Sequence, residues 1–350
     1  MYKTAAYAAT SATAPLAPWS LERREPRAGE VLIDIRYCGI CHSDLHTVRG
    51  EWGAVDYPLV PGHEIVGHVA AVGEGVERYK VGDAVGVGCF VDSCRSCEQC
   101  AAGEEQYCDK GMVATYGSVD PSTGEVTQGG YSTRITVHQD YVLRIPDGLP
   151  LDRAAPLLCA GITTFSPLRH FGLKAGDELG VVGLGGLGHM AVKLGVAMGA
   201  RVTVLSTSER KREDALKLGA HAFEVVAGSD RGAARRLAKR FDMILDTASA
   251  AHDYNLYLGM LKIDGTMVLL GMPEPTPVSA GALVMGRRRL AGSLIGGIRE
   301  TQEMLDFCAA NGVASDIELI DAAGINEAYE RMLRGDVRYR FVIDAATFGG

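Results

Sequence analysis

The chain has 350 residues, 47% of them hydrophobic, and a formal net charge of −8 from 35 basic and 43 acidic side chains. That length suits about two globular cores, and the acidic balance excludes a general nucleic-acid binder, which needs a basic face. No run of about 18 apolar residues without charges occurs, so no membrane span is expected. Nor does the N-terminal stretch carry a charged segment followed by an apolar one, so we expect no secretion signal and a cytoplasmic protein.

In chain order, residues 1 to about 150 are glycine-rich and strand-like. Val31–Arg36, Ile65–Val72 and Val85–Val87 read as strands, separated by turn signals such as Val72-Gly73-Glu74-Gly75. Short strands at this spacing predict a small barrel-like β domain. Between the first two lies Cys38-Gly39-Ile40-Cys41-His42-Ser43-Asp44-Leu45-His46. Its Cys-x-x-Cys-His spacing fits covalent haem attachment, a thiol–imidazole cluster equally suits zinc, and Cys38 could simply be a buried thiol. A cytoplasmic location weakens the haem reading. Next comes Pro61-Gly62-His63-Glu64, where a glycine turn precedes the histidine and an acid follows it.

Cys94, Cys97, Cys100 and Cys108 form the sharpest local motif, C-x2-C-x2-C-x7-C. Four thiolates at this spacing close a tetrahedron on zinc with no open position, which is a structural site. The ferredoxin run has a three-residue last gap followed by proline, and neither is present. Cys89 falls outside the spacing and reads as a buried thiol. A catalytic zinc needs three protein ligands and an open position; Cys41, His63, Glu64 and a thiol from further on are the candidates.

From about residue 151 to 296 the pattern alternates strand and helix. Leu179–Val182 is a strand, Gly183-Leu184-Gly185-Gly186-Leu187-Gly188 a glycine fingerprint, His189–Gly199 a buried helix and Arg201–Leu205 a second strand. In that context the fingerprint predicts a dinucleotide site: Gly183 for the tight turn, Gly185 for approach to the pyrophosphate, Gly188 for close helix packing. The helix N-terminus supplies free N–H groups for the phosphates. An acid at the end of the second strand selects NAD; here Ser206-Thr207-Ser208 stands there, then Glu209, then Arg210-Lys211-Arg212. Hydroxyls with basic residues just beyond predict NADP(H), with Glu209 the one discordant residue. Met243–Asp246 and Met267–Gly271 continue the strands, and Leu290–Gly297 ends the series. Beyond it, Glu300–Asn311 and Ile325–Leu333 read as helices and Phe341–Asp344 as a final strand.

Together these motifs resemble the zinc-dependent medium-chain alcohol dehydrogenases, and within them the cinnamyl alcohol dehydrogenase branch with its bacterial broad-range aldehyde reductases. The likeness runs over nearly the whole chain. It is carried by Tyr37–His46, Tyr57–Glu64, the four-cysteine lobe, Leu158-Cys159-Ala160-Gly161-Ile162-Thr163, the fingerprint glycines, Glu300–Phe307 and Asp336–Val342. The resemblance implies an α/β chain with a GroES-like β-rich catalytic domain over residues 1–155 and 297–350, and a Rossmann doubly wound NADP-binding domain over 156–296. It implies two zinc ions per chain, both in the first domain, and makes Cys159 the third catalytic ligand beside Cys41 and His63, with Glu64 close enough to replace water. Ser43 would touch the substrate hydroxyl, His46 would carry its proton towards solvent, and Asp44 would support that relay. Thr163 would lie near the nicotinamide; Ser206, Thr207, Ser208 and Lys211 would read the 2′-phosphate.

The implied reaction is hydride transfer between NADP(H) and primary alcohols or aldehydes by a homodimer that binds neither nucleic acid nor membrane. Met112-Val113-Ala114-Thr115 stands where the plant enzymes offer an aromatic wall, so broad substrates are expected over a dedicated cinnamyl pocket. Trp52 and Ile295 are its candidate lining. The competing readings are a zinc-free quinone or enoyl reductase of the same superfamily, which lacks the ligand trio, and a non-enzymatic protein that kept the fold.

Overall fold

Strand-forming β-branched residues and turn glycines build the first half, and helix-forming segments alternate with strands in the second, as a computed structural model of the chain shows. The structure describes residues 1–228 and 231–349; residue 350, the last of the expected catalytic domain, lies outside them. The chain divides into two compact units, Met1–Ile162 with Gly296–Gly350, and Thr163–Ile295. Leu157 and Leu158 are fully buried and lie with the first unit.

The first unit is built around the strand Glu30–Gly39, in which Val31, Leu32, Ile33, Ile35, Cys38 and Gly39 are buried, so that both faces are covered at its ends. It pairs antiparallel with Ile65–Val72, with Arg134–His138 and with the C-terminal strand Arg340–Asp344, in a seven-stranded sheet. The C-terminal strand therefore returns to the N-terminal half and sets Val342 opposite Gly39. The strands that escaped the sequence reading include the hairpin Tyr2–Ala8 with Ala17–Arg23, Arg134–His138, Ala222–Val225, and Ile317–Ile320 beside the last strand. Ala17–Arg23 and Ile317–Ile320 bury no residue, and Tyr2–Ala8 does alternate, but its inward side chains are only Thr4, Ala6 and Ala8, a weak apolar signal. The four-cysteine lobe, expected as loop, contains a helix at Glu98–Ala102, closed by Gly103 in the left-handed region. Five residues are too few to show a helical period.

The second unit is a parallel sheet of six strands in the order Ala222–Val225, Arg201–Ser206, Glu178–Val182, Phe241–Asp246, Leu261–Leu269, Arg289–Gly292. Numbered along the chain that is 3-2-1-4-5-6, the doubly wound order, with its switch point between Glu178–Val182 and Phe241–Asp246. Ligands bind in this fold beyond the carboxyl ends of those strands. The helix after the fingerprint starts at Gly186 rather than His189, so part of the glycine turn is its first turn. Buried Val182, Leu205, Phe241, Ile244, Leu258 and Met267 form a core against one sheet face, each contributing about 1.5–3 kcal/mol of burial.

Candidate active site

The strand Glu30–Gly39 delivers the chain to Cys41, which caps the helix His42–Val48 with extended backbone. Asp44, three residues on, turns back into the protein and is fully buried. Its carboxylate accepts hydrogen bonds from the Cys41 N–H (2.9 Å), the Gly62 N–H (3.1 Å), His63 Nδ1 (2.9 Å) and the Tyr131 hydroxyl (3.2 Å). One buried charge with four donors is a well-satisfied anion. Those partners place Asp44 behind the histidine; it orients His63, where the resemblance had set it in the Ser43–His46 relay.

With Nδ1 held by Asp44, the other ring nitrogen of His63 is left for a ligand. Cys41 Sγ lies 3.9 Å from Cys159 Sγ, and one donor atom each of Cys41, His63, Glu64 and Cys159 falls within 4.8 Å of all the others. Cys159 follows the short turn Ala155–Leu158, which is buried throughout. Its hydrogen bond with Cys159, the Arg340 guanidinium and His63 hold the Cys41 thiol well below its usual range, against the effect of burial. Cys159 is the proton-bearing member of that pair, pushed well up by Cys41, by Cys89 and by burial. Burial works against a charged His63, yet Asp44 raises it well above the imidazole range. A metal ion entering here therefore displaces protons from both a thiol and an imidazole.

Glu64 is fully buried and touches Arg340, itself only 5% exposed. Burial pushes the Glu64 carboxyl up to about 8, and the guanidinium opposes that. Because arginine keeps its charge throughout this range, the direct contact favours the carboxylate. Its second oxygen, Oε2, is buried with no hydrogen-bond partner. Two thiols, one imidazole and an orphaned carboxylate oxygen suit zinc: three soft donors, an open position and an acid at its rim.

Ser43 Oγ stands 3.6 Å from Cys41 Sγ. His46, one turn further along the same helix, meets the Glu51 carboxylate through Nδ1 and stacks on Trp52 with ring centroids 5.1 Å apart. Trp52, expected to line a pocket, is 53% exposed and gives His46 a flat face to stack on. Cys38 is fully buried, with Sγ 3.6 Å from the Gly39 carbonyl. Cys89, expected as a buried thiol, is only partly buried and lies 3.6 Å from the Leu158 carbonyl.

In the lobe, the sulfurs of Cys94, Cys97, Cys100 and Cys108 lie within 4.8 Å of one another. The Cys94 N–H donates to Cys108 Sγ at 3.4 Å, and Ser93 Oγ is 3.1 Å from Cys100 Sγ. Backbone donors at Ser96 and Cys97 lower the Cys94 thiol to about 6, and backbone donors at Cys100 and Asp109 lower Cys97, while burial pushes Cys100 up to about 11. With no oxygen or imidazole in it, this set offers a closed four-sulfur site.

In the second unit, Gly183 sits at φ 86, where a side chain would be strained and its Cβ would meet Thr247 Oγ1 at 3.2 Å. A Cβ on Gly188 would strike the Gly183 carbonyl, whereas one on Gly185 would meet nothing within 4 Å. The turn is therefore packed on two sides and open on the third, where Gly185 caps the helix. Leu184 is buried, and its carbonyl accepts from Lys211 Nζ at 2.8 Å. At the end of the neighbouring strand Ser206 is buried, Thr207 exposed, and Ser208 caps the turn Glu209–Lys211. Glu209 turns to Arg212, whose guanidinium also donates to the Phe223 carbonyl at 3.0 Å. Hydroxyls, a lysine and an acid occupied elsewhere suit a phosphorylated ribose. Thr163 is buried in the helix Ala160–His170, and Ile295 is buried at φ 36, a strained backbone for a β-branched residue.

Sequence reasoning missed Arg340, Glu51 and Tyr131. Arg340 had one visible signal, a charged residue directly before the apolar run Phe341-Val342-Ile343 of the C-terminal strand; the other two had none.

Known families and proteins share this arrangement. The description of an alcohol dehydrogenase GroES-like domain matches residues 27–147 and that of a zinc-binding dehydrogenase matches residues 186–310. The NADP-dependent alcohol dehydrogenase C 1 of Mycolicibacterium smegmatis is 59% identical over 349 residues, 99% of each chain. The aldehyde reductase YahK of Escherichia coli is 56% identical over 348 residues, again 99% of each. Among solved structures, a cinnamyl alcohol dehydrogenase from Sorghum bicolor superposes with a TM-score of 0.94 at 48% identity, covering 99% of this chain and 98% of the other.

Proposed function

The chain belongs to the zinc-binding dehydrogenase family, and from that membership we propose that it is a zinc-dependent, NADP(H)-linked alcohol dehydrogenase and aldehyde reductase of broad range. The carrying observation is the buried set Cys41, His63 and Cys159 with a Glu64 carboxylate oxygen in the same cluster. When bound, the zinc supplies Lewis acidity at the substrate oxygen and the nicotinamide gives or takes the hydride.

The chain's own residues do the rest. Cys41, His63 and Cys159 hold the ion, and Asp44 fixes the His63 ring behind it. Ser43, beside Cys41, holds the substrate hydroxyl. His46 takes its proton outward, with its ring held through Nδ1 against the Glu51 carboxylate. In aldehyde reduction the same groups deliver the proton inward. Cys94, Cys97, Cys100 and Cys108 hold the second zinc, which does no chemistry and staples a lobe poor in core.

Ser206, Ser208 and Lys211 receive the 2′-phosphate, supported by the NADP dependence named for the Mycolicibacterium relative. The broad aldehyde range rests on the Escherichia relative, named an aldehyde reductase, and on the absence of aromatic side chains at 112–115. The enzyme works as a homodimer in the cytoplasm. Supporting the dimer, Arg289–Gly292 is an edge strand and nearby Met285 is 85% exposed, an unpaired edge of the kind a second copy covers. No helix of the described residues is long and apolar enough to cross a membrane.

The test is an aldehyde panel, aliphatic and aromatic, run with NADPH and with NADH on protein assayed for metal. We expect two zincs per chain and reduction across the panel with NADPH preferred. Protein holding two zincs that turns over no aldehyde would overturn the reading. Cys159→Ala is expected to keep the fold, hold one zinc and lose turnover; full activity would remove Cys159 from the ligand set.

A further inference from the structure

The carboxyl end of the strand Phe241–Asp246 carries a buried charge that the reaction does not use. Asp246 is 2% exposed and stands opposite Val182 in the register, across the switch point from the glycine turn. His252 returns to it after a six-residue excursion: Nε2 is 2.8 Å from the Asp246 carboxylate and Nδ1 is 2.8 Å from the Ala250 carbonyl. A carbonyl and a carboxylate can only accept, so both ring nitrogens carry hydrogen and the ring is an imidazolium. The other Asp246 oxygen accepts from the Ala248 N–H at 3.1 Å.

The segment so tied lies against the dinucleotide turn. The Thr247 hydroxyl and N–H both donate to the Val182 carbonyl, at 2.7 and 3.0 Å. Cβ atoms on Gly183 and on Gly188 would each meet Thr247 Oγ1 at 3.2 Å, and one on Gly271 would strike the Ala248 carbonyl. Thr247 and Ala248 are thus wedged between the first glycine of the fingerprint and the next strand's end, with the Asp246–His252 pair closing the loop behind them.

We propose that Asp246 and His252 form a charged clasp that holds the 247–252 loop against the fingerprint turn, making His252 a positioning residue for cofactor binding. This rests on the reading of the chain as a nicotinamide-dependent dehydrogenase, but on the pyrophosphate turn shared by both nicotinamide cofactors. The groups facing the imidazole are Asp246 and Asp253, which carry charge, and the rings of Tyr254 and Tyr257, edge-on at 5.1 and 5.5 Å. Both phenols are held above their usual range by burial, so they stay neutral while His252 titrates. The hydrogen bond that His252 donates to Asp246 raises its imidazole above the ordinary 6.5, against burial. A raised histidine contributes fully below its unfolded value, and the contribution is lost as pH rises through the folded one. Losing that charge loosens the loop that the clasp holds against the fingerprint turn, so cofactor affinity is greatest on the acid side and falls as pH rises through the folded value.

The test titrates NADPH and NADH onto the zinc-loaded enzyme, by nucleotide fluorescence, from about pH 6 to about pH 9. In the native enzyme we expect affinity for both nucleotides to fall about tenfold through a one-proton step. His252→Gln, which can donate to Asp246 but cannot carry charge, is expected to bind about tenfold more weakly at the acid end and to lack the step. The paired variant D246N/H252Q, with a neutral amide pair, is expected to fold and also to lack it, and decides the matter if the single variant does not fold. A step that persists in either variant, or acid-end affinity unchanged in His252→Gln, overturns the clasp. So does a step seen with NADPH alone, since that belongs to the ligand's own phosphate. The relative affinity for the two nucleotides tests the cofactor assignment separately, and a native enzyme that binds neither overturns both.

Discussion

Asp44 and His63 meet at 2.9 Å in the interior of the first unit, carboxylate to Nδ1, nineteen positions apart in sequence. The bond fixes the imidazole tautomer and leaves one nitrogen for a metal. Asp44→Asn keeps the shape but loses the charge and, in one amide orientation, the acceptor. Removing such a partner costs about 10–100-fold in metal affinity or activity. We therefore expect that loss in kcat/KM, together with reduced zinc at the Cys41 site and an intact second zinc. Equal loss of both zincs on metal analysis would instead mean that the variant is globally unfolded.

Arg340 and Glu64 form the most deeply buried ion pair described in the chain. Replacing Arg340 by Met fills the space but strands a buried carboxylate, which costs about 3–5 kcal/mol. Denaturant unfolding should show a lower midpoint with an unchanged slope. A change below about 1 kcal/mol would place the variant among ordinary surface substitutions and remove the pair from the stability of the fold.

The four-cysteine lobe has a helix of five residues without a single buried side chain. Its order must come from the metal it holds. Cys100→Ser should lower the zinc content from about two per chain to about one and open the segment around residues 93–111 to proteolysis. Turnover should fall less than metal binding at the lobe does, because the Cys41 set is built from other elements. Protease resistance equal to the native chain, with one zinc gone, would show that the lobe holds itself.

Ser206 occupies the position where an acid would meet the ribose 2′-hydroxyl. Ser206→Asp puts a negative charge beside the expected 2′-phosphate. At a few ångströms and intermediate dielectric such repulsion is worth a few kcal/mol, so kcat/KM for NADPH should fall about a hundredfold. NADH should change by less than about threefold. Parallel losses with both cofactors would move the phosphate site away from Ser206.

Much of this protein was legible without coordinates because its chemistry is local. The lobe cysteines lie within fifteen residues, and the fingerprint runs from a strand into a helix in a single stretch. Glycine positions in that stretch carry meaning residue by residue, as Gly183, Gly185 and Gly188 show. Cys159 was different: nothing in its own neighbourhood marks a ligand, and it came only through the likeness to a family. The stretch Cys38–His46 was legible as a site but not in its division of labour. Cys38 packs, Cys41 faces Cys159, Asp44 faces His63 and Ser43 faces Cys41, and helix geometry sends those side chains in different directions.

The sequence by itself determined the four-cysteine motif, the doubly wound half and the hydroxyl-rich, basic stretch after its second strand, since each is written in contiguous spacing, periodicity or residue type. Only the tertiary structure decided that Asp44 serves His63, that Arg340 answers Glu64 from 276 positions away, and that His252 closes on Asp246. The reason is physical. A buried charge must find a counter-charge or donors wherever the fold brings them near, and burial, unlike spacing, is a property of the packed chain rather than of any stretch of it.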